Sequence, residues 1–67
     1  MSALNNKEEL LKLAIKNFDT ENKDIALESL RNYLKHDPKE IIIRFNLSVM
    51  LEQVGNFSEA IENLKIV

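Results

Sequence analysis

Sixty-seven residues allow one small domain, below the size at which a single core comfortably outweighs chain entropy. The chain has no cysteine, which excludes disulfides and thiolate metal sites as staples. A net charge of −2 arises from 11 acidic and 9 basic residues interleaved along the chain. No basic patch results, so nucleic acid is not an expected partner.

The N-terminal stretch MSALNNKEELL carries acidic residues where a secretory signal would have positive charge and a long apolar run. No apolar run is longer than Ile41-Ile42-Ile43, far too short to span a bilayer. A cytoplasmic protein away from membranes is expected. Its stability must come from well-packed helices, from self-association, or from neighbours in a longer chain.

One glycine, one proline and abundant Leu, Ile, Glu, Lys and Asn favour helix nearly everywhere. The first helix is expected over about residues 5–19. Asn5 or Asn6 would cap it, with Glu8 or Glu9 completing a capping box. It carries two apolar stripes, Leu10-Leu13-Ala14 and Leu11-Ile15-Phe18, and therefore two surfaces to hide. Residues 19–22 break the pattern with turn and cap residues.

The second helix, about 23–36, is expected to bury Ile25, Ala26, Leu30, Tyr33 and Leu34. Glu28, Arg31, Asn32 and Lys35 would form its solvated face. Lys35 and His36 sit in its last turn, where positive charge suits the carbonyl end of the helix dipole. A third helix is expected over about 38–54, with Pro38 in its first turn, Asp37 as cap and Glu40 reciprocating. Ile41, Ile42, Ile43, Phe45, Leu47, Val49, Met50, Leu51 and Val54 go nearly all the way round it, so it must be covered on several sides. Gly55 stops it in a left-handed conformation. Asn56 and Glu59 then pair as a capping box for a short fourth helix, about 57–67, with Ala60, Ile61, Leu64 and Val67.

A shift of 34 residues superimposes the chain on itself. It pairs Leu13 with Leu47, Asn22 with Asn56, Ala26 with Ala60, Glu28 with Glu62 and Leu30 with Leu64. Ala14/Ser48, Ile15/Val49, Leu27/Ile61 and Arg31/Lys65 are conservative matches in that register. A helix-turn-helix unit of this length resembles the tetratricopeptide repeat (TPR) family. Leu47-Ser48, Leu51, Gly55-Asn56-Phe57, Ala60 and Leu64 match the family's leucine-small pair, apolar residue, Gly-x-aromatic turn, alanine and large apolar residue. Leu13-Ala14, Ala26, Leu30, Tyr33 and Pro38 fall on the corresponding places of the first unit. Asn17, Glu21 and Arg44 depart from the usual aromatic, glycine and tryptophan-like residue. The resemblance implies an all-α fold, two hairpins stacked as a short right-handed α-solenoid. Repeat one would cover about 7–40 and repeat two about 41–67, in one domain over 1–67. A plain three- or four-helix bundle is the alternative.

Catalysis is not expected. His36 stands beside Asp37 and reads as a helix-end histidine rather than a general base. There is no glycine-rich phosphate loop and no histidine pair at metal spacing. Glu8-Glu9 and Glu52/Glu59/Glu62 read as solvated faces or caps. No cofactor, metal or small-molecule substrate is expected.

A protein or peptide partner is. The resemblance places a concave groove on the first helix of each hairpin: Leu11, Lys12, Ile15, Phe18 and Asp19, then Ile42, Phe45, Asn46, Val49, Glu52 and Gln53. The stripe analysis agrees in part, since Leu11, Ile15 and Phe18, with Phe45 and Val49 one hairpin later, form apolar surface beyond that needed within a hairpin. The alternative is that these side chains pack against one another in the stack. The resemblance gives Asn46 the place of an asparagine that holds a peptide backbone. The carboxylate-clamp form of such grooves requires Lys and Asn where Leu11 and Ile15 stand, so an apolar helix or extended apolar peptide is the expected guest. Repeat arrays normally need about three units and a polar cap. The shortfall leads to an expected homodimer, groove to groove or through the fourth helix. An N-terminal adaptor fragment of a larger multidomain protein, such as a transferase or a redox protein, is the alternative.

Overall fold

A computed structural model describes residues 6–66. It contains four α-helices: α1 (Asn6–Asp19), α2 (Lys23–His36), α3 (Ile41–Gln53) and α4 (Phe57–Ile66). Asn5 as a cap and Val67 as the end of the last helix lie outside the described residues. The connections at 20–22 and 54–56 are equally short, so each joins two helices that fold back on each other. The ends of α1 and α3 are 34 residues apart, as are the starts of α2 and α4. The sequence register is thus also a register of structure.

α1 packs on α2, α2 on α3, and α3 on α4. The Cα envelope measures 37 × 28 × 14 Å. Two helix layers with axes ~8–10 Å apart, each of ~2.3 Å Cα radius, account for the short dimension. α1 and α3 are near neighbours and run the same way. Lys7 near the start of α1 pairs with Glu40 at the start of α3, Nζ to Oε1 2.7 Å. Phe18 and Asp19 at the other end line a cleft with Met50 and Gln53. α2 and α4 are tied by Arg31, whose Nε and Nη2 donate to the two carboxylate oxygens of Glu59 at 2.8 and 2.7 Å.

The core follows the helical stripes. Ala14 and Phe18 come from α1, Ala26, Leu27, Leu30 and Leu34 from α2, Ile43, Leu47, Met50 and Leu51 from α3, and Ala60 from α4. Leu10, Leu11 and Tyr33 pack half-buried against it. Ile25, expected inside, is exposed, and Leu27 is buried instead. The two sit on nearly opposite sides of α2, and only Leu27 shares a face with Leu30 and Leu34. Arg31, expected on the solvated face, is half-buried by its pairing with α4. On α3 the neighbours cover one side only. Ile41, Ile42, Phe45 and Val54 remain exposed.

α3 begins three residues later than expected. Pro38 and Lys39 form a turn closed by the Glu40 N–H on the Asp37 carbonyl at 3.1 Å. Glu40 is itself the N-cap, its side chain accepting from the Ile42 N–H at 2.9 Å. A glutamate two residues before a free N–H, also anchored by Lys7, satisfies that helix end without Asp37. The other end of α3 is as expected. Gly55 has φ +86°; the Asn56 N–H bonds Leu51 O at 2.8 Å and the Gly55 N–H bonds Glu52 O at 3.0 Å, the paired closure of a Schellman motif. The Glu59 N–H then donates to Asn56 Oδ1 at 3.4 Å, which opens α4.

Candidate functional site

Four residues of α3, Asn46, Val49, Met50 and Gln53, face Ile15, Phe18 and Asp19 of α1 across a cleft of about 220 Å³. The spacing 46, 49, 50, 53 is one helical stripe, and 15, 18, 19 is its counterpart on the neighbouring helix. The parallel course of α1 and α3 therefore brings together Ile15, Phe18, Asp19, Asn46, Val49 and Gln53 of the expected groove. Met50, which the sequence shows only as one of the apolar residues around α3, also lines the cleft. Its place one turn after Asn46 was the signal that could have found it.

Phe18 forms the floor of the cleft, since it is buried in the core. Lys23 Nζ stands 4.8 Å from the centroid of its ring and donates to Phe18 O at 2.8 Å. Ile15 is exposed and Val49 half-buried, so the walls keep apolar surface in contact with water. Asn46 Nδ2 donates to Ile42 O, one turn back, at 2.8 Å. That uses one of the amide's two N–H groups, and the second N–H and the oxygen keep their capacity. Asp19 supplies the one charge among the lining residues.

The other expected groove residues lie elsewhere. Leu11 packs half-buried against the core. Lys12 lies on the outward side of α1 with Glu9, Leu10, Leu13 and Lys16, around a broad, shallow depression. Ile42, Phe45 and Glu52 are exposed and do not line the cleft. Ile42 continues the Asn46–Val49–Gln53 stripe one turn before the cleft, whereas Phe45 and Glu52 lie on its solvent-facing border.

A second cluster was not anticipated. Arg44 is 9% exposed, and its Nη1 donates to Asn63 Oδ1 on α4 at 2.8 Å while Nη2 donates to Pro38 O. Its Nε is a buried nitrogen without a partner among the described residues. Asn63 Nδ2 in turn donates to Glu59 O at 2.9 Å. These bonds fix α4 against α3, a positioning role for an arginine standing between two hydrophobic neighbours. His36, the only histidine, ends α2 with Nδ1 3.0 Å from Asn32 O.

Among the described residues no group of three or more His, Asp or Glu is placed to hold a metal ion. No described helix is long and apolar enough to cross a membrane. No family model matches the chain, and neither does any curated protein or solved structure.

Proposed function

We propose that this chain is a non-enzymatic protein-interaction module of the TPR type, which binds an apolar helix or an extended apolar peptide in the cleft between α1 and α3. The observation that carries the reading is the cleft itself. It is a groove between two parallel helices, with an apolar floor and walls, amide groups at Asn46 and Gln53, and one acidic group at its edge. Such a surface suits a guest with apolar side chains and a peptide backbone to be hydrogen-bonded. The 34-residue register and the hairpin spacing support the family assignment. A cytoplasmic location fits the reading.

The test is selection of a displayed peptide library on the chain, followed by titration of the enriched peptides against Ile15→Glu. Ile15 is exposed, so the charge leaves the fold intact by circular dichroism while placing a carboxylate in the groove beside Asp19. Enrichment of apolar peptides that lose affinity at least about tenfold on this variant is the expected result. No enrichment, or binding that is indifferent to Ile15→Glu, overturns the reading.

A further inference from the structure

The shared register allows each residue of the second hairpin to be compared with its counterpart in the first. On α2, Leu27 and Leu30 are 5% and 0% exposed; on α4, their counterparts Ile61 and Leu64 are 53% and 49% exposed. The alanines beside them do not differ, since Ala26 and Ala60 are both buried. The cause lies in the neighbours. α2 has α1 on one side and α3 on the other, whereas α4 packs closely on α3. Phe57, Ile61 and Leu64 continue as one stripe at i, i+4 and i+7. Ile61 and Leu64 hold the places that, one unit earlier, receive a helix, while Phe57 adds an aromatic where the first hairpin has the exposed Lys23.

The opposite end of the molecule is finished differently. α3 contributes Ile43, Leu47 and Met50 to the core. The residues 34 positions earlier, on the outward side of α1, are Glu9, Leu13 and Lys16, all exposed. Two charges flank a single leucine there. Burying them against α4 of another copy would strip their water without supplying partners. Head-to-tail stacking would also leave a free end at every step and grow filaments rather than close.

The α4 face is suited to its own copy. The stripe is bordered by Ser58, Glu62 and Lys65, one charge of each sign, so two copies meeting there bring no net like-charge repulsion. The three half-exposed side chains offer roughly 300 Å² of apolar surface, counting on the order of 150–200 Å² for a whole residue of this size. Two such faces with their polar borders reach ~1,000 Å², the threshold for a biological interface and the size of a weak, reversible dimer.

We propose that the chain forms a two-fold homodimer through α4, with Phe57, Ile61 and Leu64 of one copy packed on the same stripe of a second and the axis passing close to Ile61. The interface is separate from the α1/α3 cleft, which stays open on both copies.

The absence of cysteine gives a direct test. Ile61→Cys introduces a single thiol at the axis, and mild oxidation is expected to convert it to a disulfide-linked dimer at least about tenfold faster than Leu13→Cys or Ile15→Cys under the same conditions. Sedimentation of the unmodified chain from micromolar to millimolar concentration is expected to show monomer and dimer only. Ile61→Glu should raise the dimer dissociation constant at least about thirtyfold, the size expected of a central interface residue, with helical circular dichroism retained. Leu64→Lys serves as a second variant with the same expected outcome. Leu13→Glu and Ile15→Glu should dimerise as the unmodified chain does, so loss of peptide binding in Ile15→Glu is read independently. A chain that stays monomeric, as it would if the face served only another protein's helix, overturns the proposal. So do equal cross-linking rates at the three positions, or species larger than a dimer.

Discussion

The two hairpins share a 34-residue register and a three-residue turn, yet their second helices use their apolar residues differently. In the first, Ala14, Phe18, Ala26, Leu27, Leu30 and Leu34 all point inward. In the second, α3 supplies four core residues and α4 one, while Phe57, Ile61 and Leu64 face solvent. Side-chain type does not explain this, because leucine stands at 30 and at 64. Burial in a stacked repeat is decided by whether a neighbour is present, so one sequence unit can be core in one copy and surface in the next. The largest expected effect follows from that contrast. Leu30→Ala should destabilise the chain by about 2–5 kcal/mol, the range for a fully buried leucine. Leu64→Ala should cost under about 1 kcal/mol in the dissociated chain. Urea denaturation at a concentration where the chain is monomeric makes the comparison. Equal losses would mean that Leu64 is covered in the monomer and that the second hairpin is not open.

The turns differ as well, although both have three residues between their helices. The second closes through Gly55 in the left-handed region. The first has Glu21 in that place, and no described non-glycine residue has positive φ. Lys23 closes it instead, with Nζ donating to Phe18 O at 2.8 Å and Thr20 O at 3.3 Å, and Thr20 Oγ1 donates to Asn17 O at 2.8 Å. The Glu52 carbonyl, satisfied by backbone geometry in the second turn, has its counterpart Phe18 O satisfied by a side-chain cation. Asn17 O, counterpart of Leu51 O, accepts from the Thr20 N–H and hydroxyl. Gly55→Ala is expected to cost about 1–2 kcal/mol from backbone strain alone, since an added Cβ would meet nothing within 4 Å. Glu21→Gly should be worth no more than about 0.5–1 kcal/mol, and destabilising, because the native conformation gains nothing from glycine while the unfolded chain gains freedom. A stabilising Glu21→Gly would show that the first turn is a strained version of the second.

The contrast also marks what could be read from the sequence. Helix existence, the starts of α2 and α4 and the glycine stop followed from caps and punctuation, which are local. Of the apolar stripe residues on α1 and α3, Ile15, Phe18 and Val49 line the cleft, and Asp19, Asn46 and Gln53, which only the resemblance places there, join them. Ile42, Phe45 and Glu52 do not line that cleft: Ile42 lies a turn beyond it on the same stripe, and a helix apolar nearly all round gives no azimuth to set Phe45 apart. Only packing shows which side of α3 meets α1 and which meets water. Arg44 and Asn63 were illegible for the opposite reason. Polar residues read as surface, and their mutual hydrogen bond across α3 and α4 exists only once the hairpin is closed. The start of α3 was displaced because Asp37-Pro38 is a strong local signal, and the Glu40 cap gains its second anchor from Lys7, 33 residues away.

The smallest expected effect concerns how the hairpins are tied by charge. Lys7–Glu40 links α1 to α3 and Arg31–Glu59 links α2 to α4, so among the described residues each layer has one ion pair between units. The hydrogen bond from Arg31 holds the Glu59 carboxyl below its ordinary value of 4.5, and that from Lys7 does the same for Glu40. A carboxyl whose folded value is lowered contributes stability that is complete above the unfolded value and is lost as pH falls through the folded one. Stability should therefore decline on acidification below about 4.5, with both pairs intact at neutral pH. Glu59 is about a third exposed, so solvent screening limits its share to roughly 0.5–1 kcal/mol despite the two-pronged geometry. Unfolding free energies at pH 7 and pH 3 should differ less in Glu59→Gln than in the unmodified chain, and 0.5 M salt should shrink that difference further. A Glu59→Gln chain with an unaltered acid response would show that the Arg31–Glu59 pair adds no pH-dependent stability, and would leave the hold between hairpins to Lys7–Glu40 and the packing of α2 on α3. That outcome would sharpen the contrast between α2, buried against a helix on either side, and α4, whose Phe57, Ile61 and Leu64 face solvent.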